Sequence, residues 1–294
     1  MRILITGLPL FTERLQKELS AYDPSNKYYR LNTYYSSKDR WRALLLMPFI
    51  DVVYSINGTV SKRRVFDLAF KLGKKVVMNW VGSDVITAIK ESKKNQLYIS
   101  KATHFCEVNW IKEELQTIGI KASVLNFAVF EKKATAQLAP PPFTVLSYIP
   151  ANRSAFYGLN EFVRLANNFP DIRFLIAGAS ANELTSLPSN IEALGWVKDM
   201  GAVFEQAHVC MRYPEHDGLS NFILEALARG KQVLYKYDFH HCYYSPNENQ
   251  LTSNLNELQS LYNNHSLKVN EEGIQYIENN FSREAILGDL VKMF

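Results

Sequence analysis

The sequence predicts an α/β protein made of two parallel-sheet halves. Three observations carry this. Short β-branched runs alternate with helical periodicity along the whole chain, a triple proline breaks the alternation near the middle, and 294 residues suffice for about two domains. With 47% of residues hydrophobic, each half can bury a core of its own.

Strand-like runs cover Arg2 to Thr6, Asp51 to Ile56, Lys75 to Asn79, Phe143 to Ile149, Arg173 to Ala177 and His208 to Arg212. After the second run, Ser61 stands where it can cap a helix whose Val65, Leu68, Ala69 and Leu72 fall at i, i+3, i+4 and i+7, before Gly73 stops it. A similar unit puts Trp110, Ile111, Leu115 and Ile118 on one side of a helix from Asn109, ends at Gly119 and leads into a strand from Ala122 to Asn126. The stretch from Glu131 to Pro142 ends in Pro140, Pro141 and Pro142, which can join neither a helix nor a central strand. The domain boundary is therefore expected there, with domains at 1–138 and 139–294. In the second half Gly158 opens a helix, and the chain closes on helical stretches from Lys268 to Asn279 and from Arg283 to Phe294. The last of these is free to pack back on the first domain. Sheets of this kind bind ligands at the carboxyl ends of their strands, so the expected architecture is two Rossmann-like domains facing a central cleft.

The composition narrows the function classes. A formal charge of +4 is too small to imply nucleic acid. Cys106, Cys210 and Cys242 are odd in number and form no CxxC pair, which argues against a disulfide framework or a zinc site and for a reducing cytoplasm. The adjacent His240, His241 and Cys242 cannot all face one ion. Gly7, Pro9, Glu13 and Arg14 make the amino terminus a strand and loop rather than a signal peptide, and Pro48 and Asp51 break the most apolar window. No transmembrane segment is expected. Basic clusters at Lys62, Arg63, Arg64, at Lys71, Lys74, Lys75 and at Lys38, Arg40, Arg42 all lie in the first half. They suggest peripheral contact with an anionic membrane or a lipid-diphosphate acceptor.

The most informative segment is MRYPEHDGLSNFILEALARGKQV, residues 211–233. A strand ends at Arg212, a loop holds Gly218, and a helix begins near Ser220 or Asn221, leaving the amides of Leu219, Ser220 and Asn221 free to hold an anion. Asp217 stands at the helix entrance and Glu225 about one turn inside.

This segment resembles the retaining GT-B glycosyltransferases, the large family that includes sucrose synthase and many capsule and lipopolysaccharide enzymes. Their signature of an acid, seven spacers, a Glu and a small-residue helix with Gly is matched by Asp217, GLSNFIL, Glu225, Ala226, Leu227, Ala228 and Gly230. Asp217 replaces the usual Glu, and Lys231 a frequent Pro. The resemblance implies that Asp217 contacts the donor sugar, that Gly218, Leu219, Ser220 and Asn221 hold the diphosphate, and that Glu225 binds the ribose. It extends to the donor-domain opening at Phe143 to Gly178, to a base-contacting loop with Gly195 and Val197, and to NWVGSDV at Asn79 to Val85, where Asp84 either binds substrate or caps a helix. Arg153 matches a diphosphate-gripping Arg, whereas Tyr157 stands where the family places a Lys, so Arg153, Arg212 or Lys198 must supply the charge.

The implied activity is retaining transfer of a sugar from a UDP-sugar or GDP-sugar to a hydroxyl of a glycan or lipid-linked acceptor, in surface-glycan synthesis. It needs no cofactor and no metal. Asp217, Arg153 and Asp84 are the catalytic candidates. The location implied is cytoplasmic, including the inner face of the membrane. A catalytically weak GT-B partner subunit is the alternative, motivated by Tyr157 and by Asp217 for Glu. An NAD-dependent oxidoreductase is disfavoured, because GLPLFTE after the first strand lacks GxGxxG.

Overall fold

Aliphatic and β-branched runs, buried on both faces, form two parallel sheets in a computed structural model that describes residues 1–130 and 136–294. Of the expected linker from Glu131 to Pro142, residues 131–135 lie outside the described residues.

The first unit comprises Met1–Val129, Asp217–Leu219 and Arg283–Phe294. Its strands are β1 (Arg2–Gly7), β2 (Lys27–Leu31), β3 (Val52–Ile56), β4 (Lys75–Trp80), β5 (Thr103–Cys106) and β6 (Ala122–Val124), in the order β2-β1-β3-β4-β5-β6. Helices α1 (Pro9–Tyr22), α2 (Ser37–Leu46), α3 (Arg64–Lys71), α4 (Ser83–Lys90), α5 (Gln96–Lys101) and α6 (Asn109–Gln116) alternate with them. Central β3 is buried along its whole length, as a strand covered on both faces must be.

The second unit comprises Phe130–His216 and Ser220–Ser282. Its strands β7 (Thr144–Tyr148), β8 (Arg173–Ala177), β9 (Ile191–Ala193), β10 (Val209–Arg212), β11 (Gln232–Tyr235) and β12 (Tyr243–Tyr244) run in the order β12-β11-β10-β7-β8-β9. Its helices are α7 (Leu159–Asn168), α8 (Met200–Phe204), α9 (Asn221–Ala228), α10 (Glu248–Asn263) and α11 (Glu271–Phe281). The final helix, α12 (Arg283–Met293), belongs to the first unit, where Arg283 Nε meets Glu18 Oε2 of α1 at 2.8 Å.

In each sheet the strand order reverses once, beside β1 and β3 in the first and beside β7 and β10 in the second. Crevices at such switch points are the usual ligand sites of open α/β sheets. Gly158 packs the loop after β7 closely: its φ is +87°, and a Cβ there would lie 2.4 Å from the carbonyl oxygen of Tyr213.

Two helix starts differ from expectation. Ser61 does not cap α3; its hydroxyl donates to Glu91 Oε2 at 2.5 Å, and the helix begins three residues later at Arg64. The Tyr98 hydroxyl fixes that later start, accepting from the Arg63 amide at 2.9 Å and lying 3.0 Å from the Arg63 carbonyl oxygen. Likewise α11 begins at Glu271, because the Asn270 side chain caps it by accepting from Gly273 N at 2.9 Å.

Candidate functional site

In the second unit, charge gathers at the switch point. Arg212 ends β10 with its side chain buried, and its Nη1 donates to the carbonyl of Tyr148, the last residue of β7, at 3.3 Å. Its guanidinium carbon lies 4.6 Å from the centre of the Tyr157 ring. Arg153, exposed in the loop after β7, stands 5.6 Å from the same ring and 4.0 Å from that of Phe156. Two guanidiniums therefore stand over the Tyr157 ring, each within range of a cation–π attraction. The loops carrying them are joined, since Glu215 N donates to Phe156 O at 2.8 Å.

After β10 comes α9, whose Phe222, Ile223, Leu224, Ala226, Leu227 and Ala228 are buried. No side chain caps it: Ser220, at the cap position, makes no side-chain hydrogen bond to the first turn. Its leading amides and partial positive charge suit an anion. Glu225 is half-buried on this helix, and its carboxylate has no hydrogen-bond partner among the described residues. Gly178 and Gly195, in the loops after β8 and β9, are brought together by Gly178 N donating to Gly195 O at 2.8 Å. Next to them Trp196 is 81% exposed, Val197 is half-buried and Lys198 is exposed. The Arg pair at Tyr157 thus consists of Arg153 and Arg212; Lys198 is carried on the loop after β9.

In the first unit, three carboxyl groups come close together. Asp84, at the start of α4, is buried and accepts from the backbone amides of Gly58 at 2.6 Å, Gly82 at 2.9 Å, Val85 at 3.0 Å and Val81 at 3.1 Å. These bonds brace the loop ahead of α4, whose cap position is held by Gly82, with Asp84 inside the first turn. Burial still dominates its ionisation and pushes the carboxyl up to about 6. Glu107, buried beside it, is raised well above the usual carboxylate range by burial first and then by the Asp84 and Asp217 carboxylates, while the Leu219 amide opposes the shift. Asp217 is half-buried, and its carbonyl accepts from Trp110 Nε1 at 2.9 Å. Gly218 is buried against Val81 and Gly82 so closely that a Cβ on it would lie 2.2 Å from the Val81 oxygen.

Sequence reasoning missed Glu107. It follows β5 in FCEVNW with no motif around it, and only the packing brings it to Asp84. Equally invisible in sequence is a cavity of about 600 Å³ at the first unit's switch point, whose wall includes Gly7, Asn57, Asp84 and the basic side chains Arg40, Lys62, Arg63 and Arg64. Trp80 is core: it is fully buried and donates from Nε1 to His104 Nδ1 at 3.1 Å.

Among the described residues, no cluster of His, Cys, Asp or Glu is arranged to hold a metal ion, and no helix is long and apolar enough to cross a membrane. His240 and His241 instead lie against the Tyr276 ring, at 4.6 and 5.6 Å between centres.

Residues 144–237 match a family model described as "Glycosyl transferases group 1". No curated protein matches the chain in sequence. Among solved structures it is similar to HepE of Anabaena, in complex with UDP and glucose, at 11% identity and a TM-score of 0.71, covering 100% of this chain and 99% of that one. It is similar to the lipopolysaccharide outer core galactosyltransferase WaaB in its apo form at 13% identity and a TM-score of 0.72, covering 99% and 98%. Sucrose-phosphate synthase from Thermosynechococcus elongatus is similar at 10% identity and a TM-score of 0.69, covering 100% and 98%. The chain has the fold these proteins share, two Rossmann-like α/β domains of the GT-B type.

Proposed function

We propose that the protein is a retaining glycosyltransferase that moves a sugar from a UDP-sugar or GDP-sugar to a hydroxyl acceptor, a glycan or lipid-linked molecule of surface-glycan synthesis. One observation carries the reading: the guanidiniums of Arg153 and Arg212 both lie within about 6 Å of the Tyr157 ring at the switch point of the second unit, so the position lacking the family's Lys is supplied with two cations. A diphosphate leaving group needs such charge, because a helix amino terminus contributes only about 0.3–2 kcal/mol toward an anion. The family match over residues 144–237 and the fold support the same reading.

In this reading Arg153 and Arg212 neutralise the leaving diphosphate and the amides of Ser220 and Asn221 bind it. The free carboxylate of Glu225 takes the ribose hydroxyls, and the loops with Gly178, Gly195, Val197 and Lys198 receive the base. Asp217, eight positions ahead of Glu225, takes the sugar with Gly218 and Leu219 beside it. Asp84 shapes the loop around it. A cytoplasmic location, at the inner face of the membrane, goes with a nucleotide-sugar substrate.

A thermal-shift panel of UDP, GDP and their sugars tests this. A ligand at about 100 times its dissociation constant adds about 2.7 kcal/mol. A shift from one nucleotide, slow release of that nucleotide from its sugar, and loss of both in Glu225→Ala are expected. A panel with no shift would count for the weak partner subunit instead.

A further inference from the structure

The cavity of the first unit is strongly one-sided in charge. Arg40, Lys62, Arg63 and Arg64 contribute to its wall, and none of the four side chains makes an ion pair or hydrogen bond to any described residue. Asp84 is the sole acid in the wall, and its oxygens are occupied by four backbone amides. Acids close in the chain are engaged elsewhere: Asp39, next to Arg40, pairs with Arg42 at 3.4 Å and accepts from Asn32 N at 3.1 Å, Asp67 accepts from the Tyr98 hydroxyl at 2.6 Å, and Glu91 from Ser61 at 2.5 Å. Four unpaired cations around one concave site are arranged for a multiply charged anion. Asn57, also in the wall, holds φ at 130°, a costly backbone conformation of the kind that gathers at ligand sites.

An apolar track leads away from these charges. Trp41 lines the cavity and is 62% exposed; Leu45, one turn along α2, is 75% exposed, and Phe49 beyond the helix is 59% exposed. Residues four apart lie on one face of a helix, so Trp41 and Leu45 share a face of α2, and Phe49 follows in the turn after it. Large exposed side chains in a row mark an interaction surface.

We propose that this cavity binds the phosphate or diphosphate of a lipid-linked acceptor, with Arg40, Lys62, Arg63 and Arg64 around the phosphate and the lipid chain lying along Trp41, Leu45 and Phe49. The proposal rests on the transferase reading in calling the ligand an acceptor.

Binding without donor separates the two readings. Titration calorimetry of the full chain with geranyl diphosphate, geraniol and inorganic diphosphate should give saturable binding of the first, with the other two at least about tenfold weaker. The Arg63→Gln/Arg64→Gln double variant should weaken geranyl diphosphate at least about tenfold, and Leu45→Ser several-fold. The exposed pair Lys71→Gln/Lys101→Gln, outside the cavity, should leave binding unchanged. Equal binding of inorganic diphosphate would replace the lipid ligand with a free phosphate, and undiminished binding in the Arg63/Arg64 variant would place the ligand elsewhere; either overturns the proposal. So would binding to phosphatidylglycerol vesicles that geranyl diphosphate does not compete away. Circular dichroism confirms that each variant is folded. Failure of the nucleotide panel with success here would remove the transferase reading and leave the cavity a lipid-phosphate site.

Discussion

The guanidinium of Arg212 lies over the Tyr157 ring, 4.6 Å from its centre, at the switch point between β7 and β10. An aromatic ring thus occupies the place of an expected cation and holds a cation of its own. Arg212→Lys keeps the charge but loses the guanidinium over the ring and its bond to the Tyr148 carbonyl, and Arg and Lys are not equivalent at such a site. The expected loss in kcat/KM is about tenfold. Arg212→Gln removes the charge and should lower it about 100- to 1000-fold, the usual cost of losing one well-placed electrostatic group. Steady-state kinetics with the donor found by the nucleotide panel checks both. Equal rates in wild type and Arg212→Gln would exclude this guanidinium from the reaction.

Glu225 offers a cleaner separation of binding from stability. Its carboxylate is half-buried and makes no hydrogen bond to the described residues, so Glu225→Gln should change the unfolding free energy by no more than about 0.5 kcal/mol. If the carboxylate holds the nucleotide in ground and transition state alike, KM for the donor rises at least about tenfold while kcat changes little. A fall in kcat at constant KM would assign Glu225 to the chemistry instead.

How far these residues can be read from the sequence depends on whether their signal is local. Asp217, Gly218 and Glu225 sit in one spaced motif, and Arg212 ends a strand visible as VCMR, so all four are legible from the chain alone. The alternation of short apolar strands with helices is equally legible, because parallel strands buried on both faces need little besides Val, Ile and Leu. The start of α3 is not: Tyr98, thirty-five residues beyond Arg63, sets it through hydrogen bonds that no local pattern encodes. Glu107 is hidden for the same reason, its neighbours Asp84 and Asp217 lying far away in the chain. The charges of Arg40, Lys62, Arg63 and Arg64 are visible as clusters, but their convergence on one cavity is a property of the fold.

Gly58 has no room for a side chain. A Cβ there would stand 2.1–2.3 Å from three atoms of the Trp80 indole, which is fully buried and hydrogen-bonded to His104. Gly58→Ala must displace either the indole or the Gly58 backbone that donates to Asp84. Overpacking of this kind costs about 1–3 kcal/mol, and the rigidity of both neighbours puts the expected value at the upper end. Urea unfolding measures it. An unfolding free energy unchanged within about 0.5 kcal/mol would mean that this packing is looser than the geometry indicates.

The buried acids give stability a defined pH dependence. Asp84 is raised to about 6 from a usual 3.8, and Glu107 is raised well above 4.5, both by burial first. A carboxyl whose folded pKa is raised favours the folded state most while both states are protonated, and loses that advantage as pH climbs from the unfolded value through the folded one. For Asp84 the loss falls between about pH 4 and 6 and amounts to up to about 3 kcal/mol, since each tenfold change in acidity is worth about 1.4 kcal/mol. For Glu107 it begins above its usual 4.5 and continues to higher pH, because the folded chain keeps the proton that the unfolded chain releases. Glu107→Gln copies the protonated shape, retains an oxygen for the Leu219 amide and has no proton to lose. Stability of the wild type should therefore decline as pH rises above about 4, and the variant should decline less, gaining on the wild type steadily as the pH climbs. Urea midpoints across this pH range test this; parallel curves would show that Glu107 does not hold its proton in the folded chain.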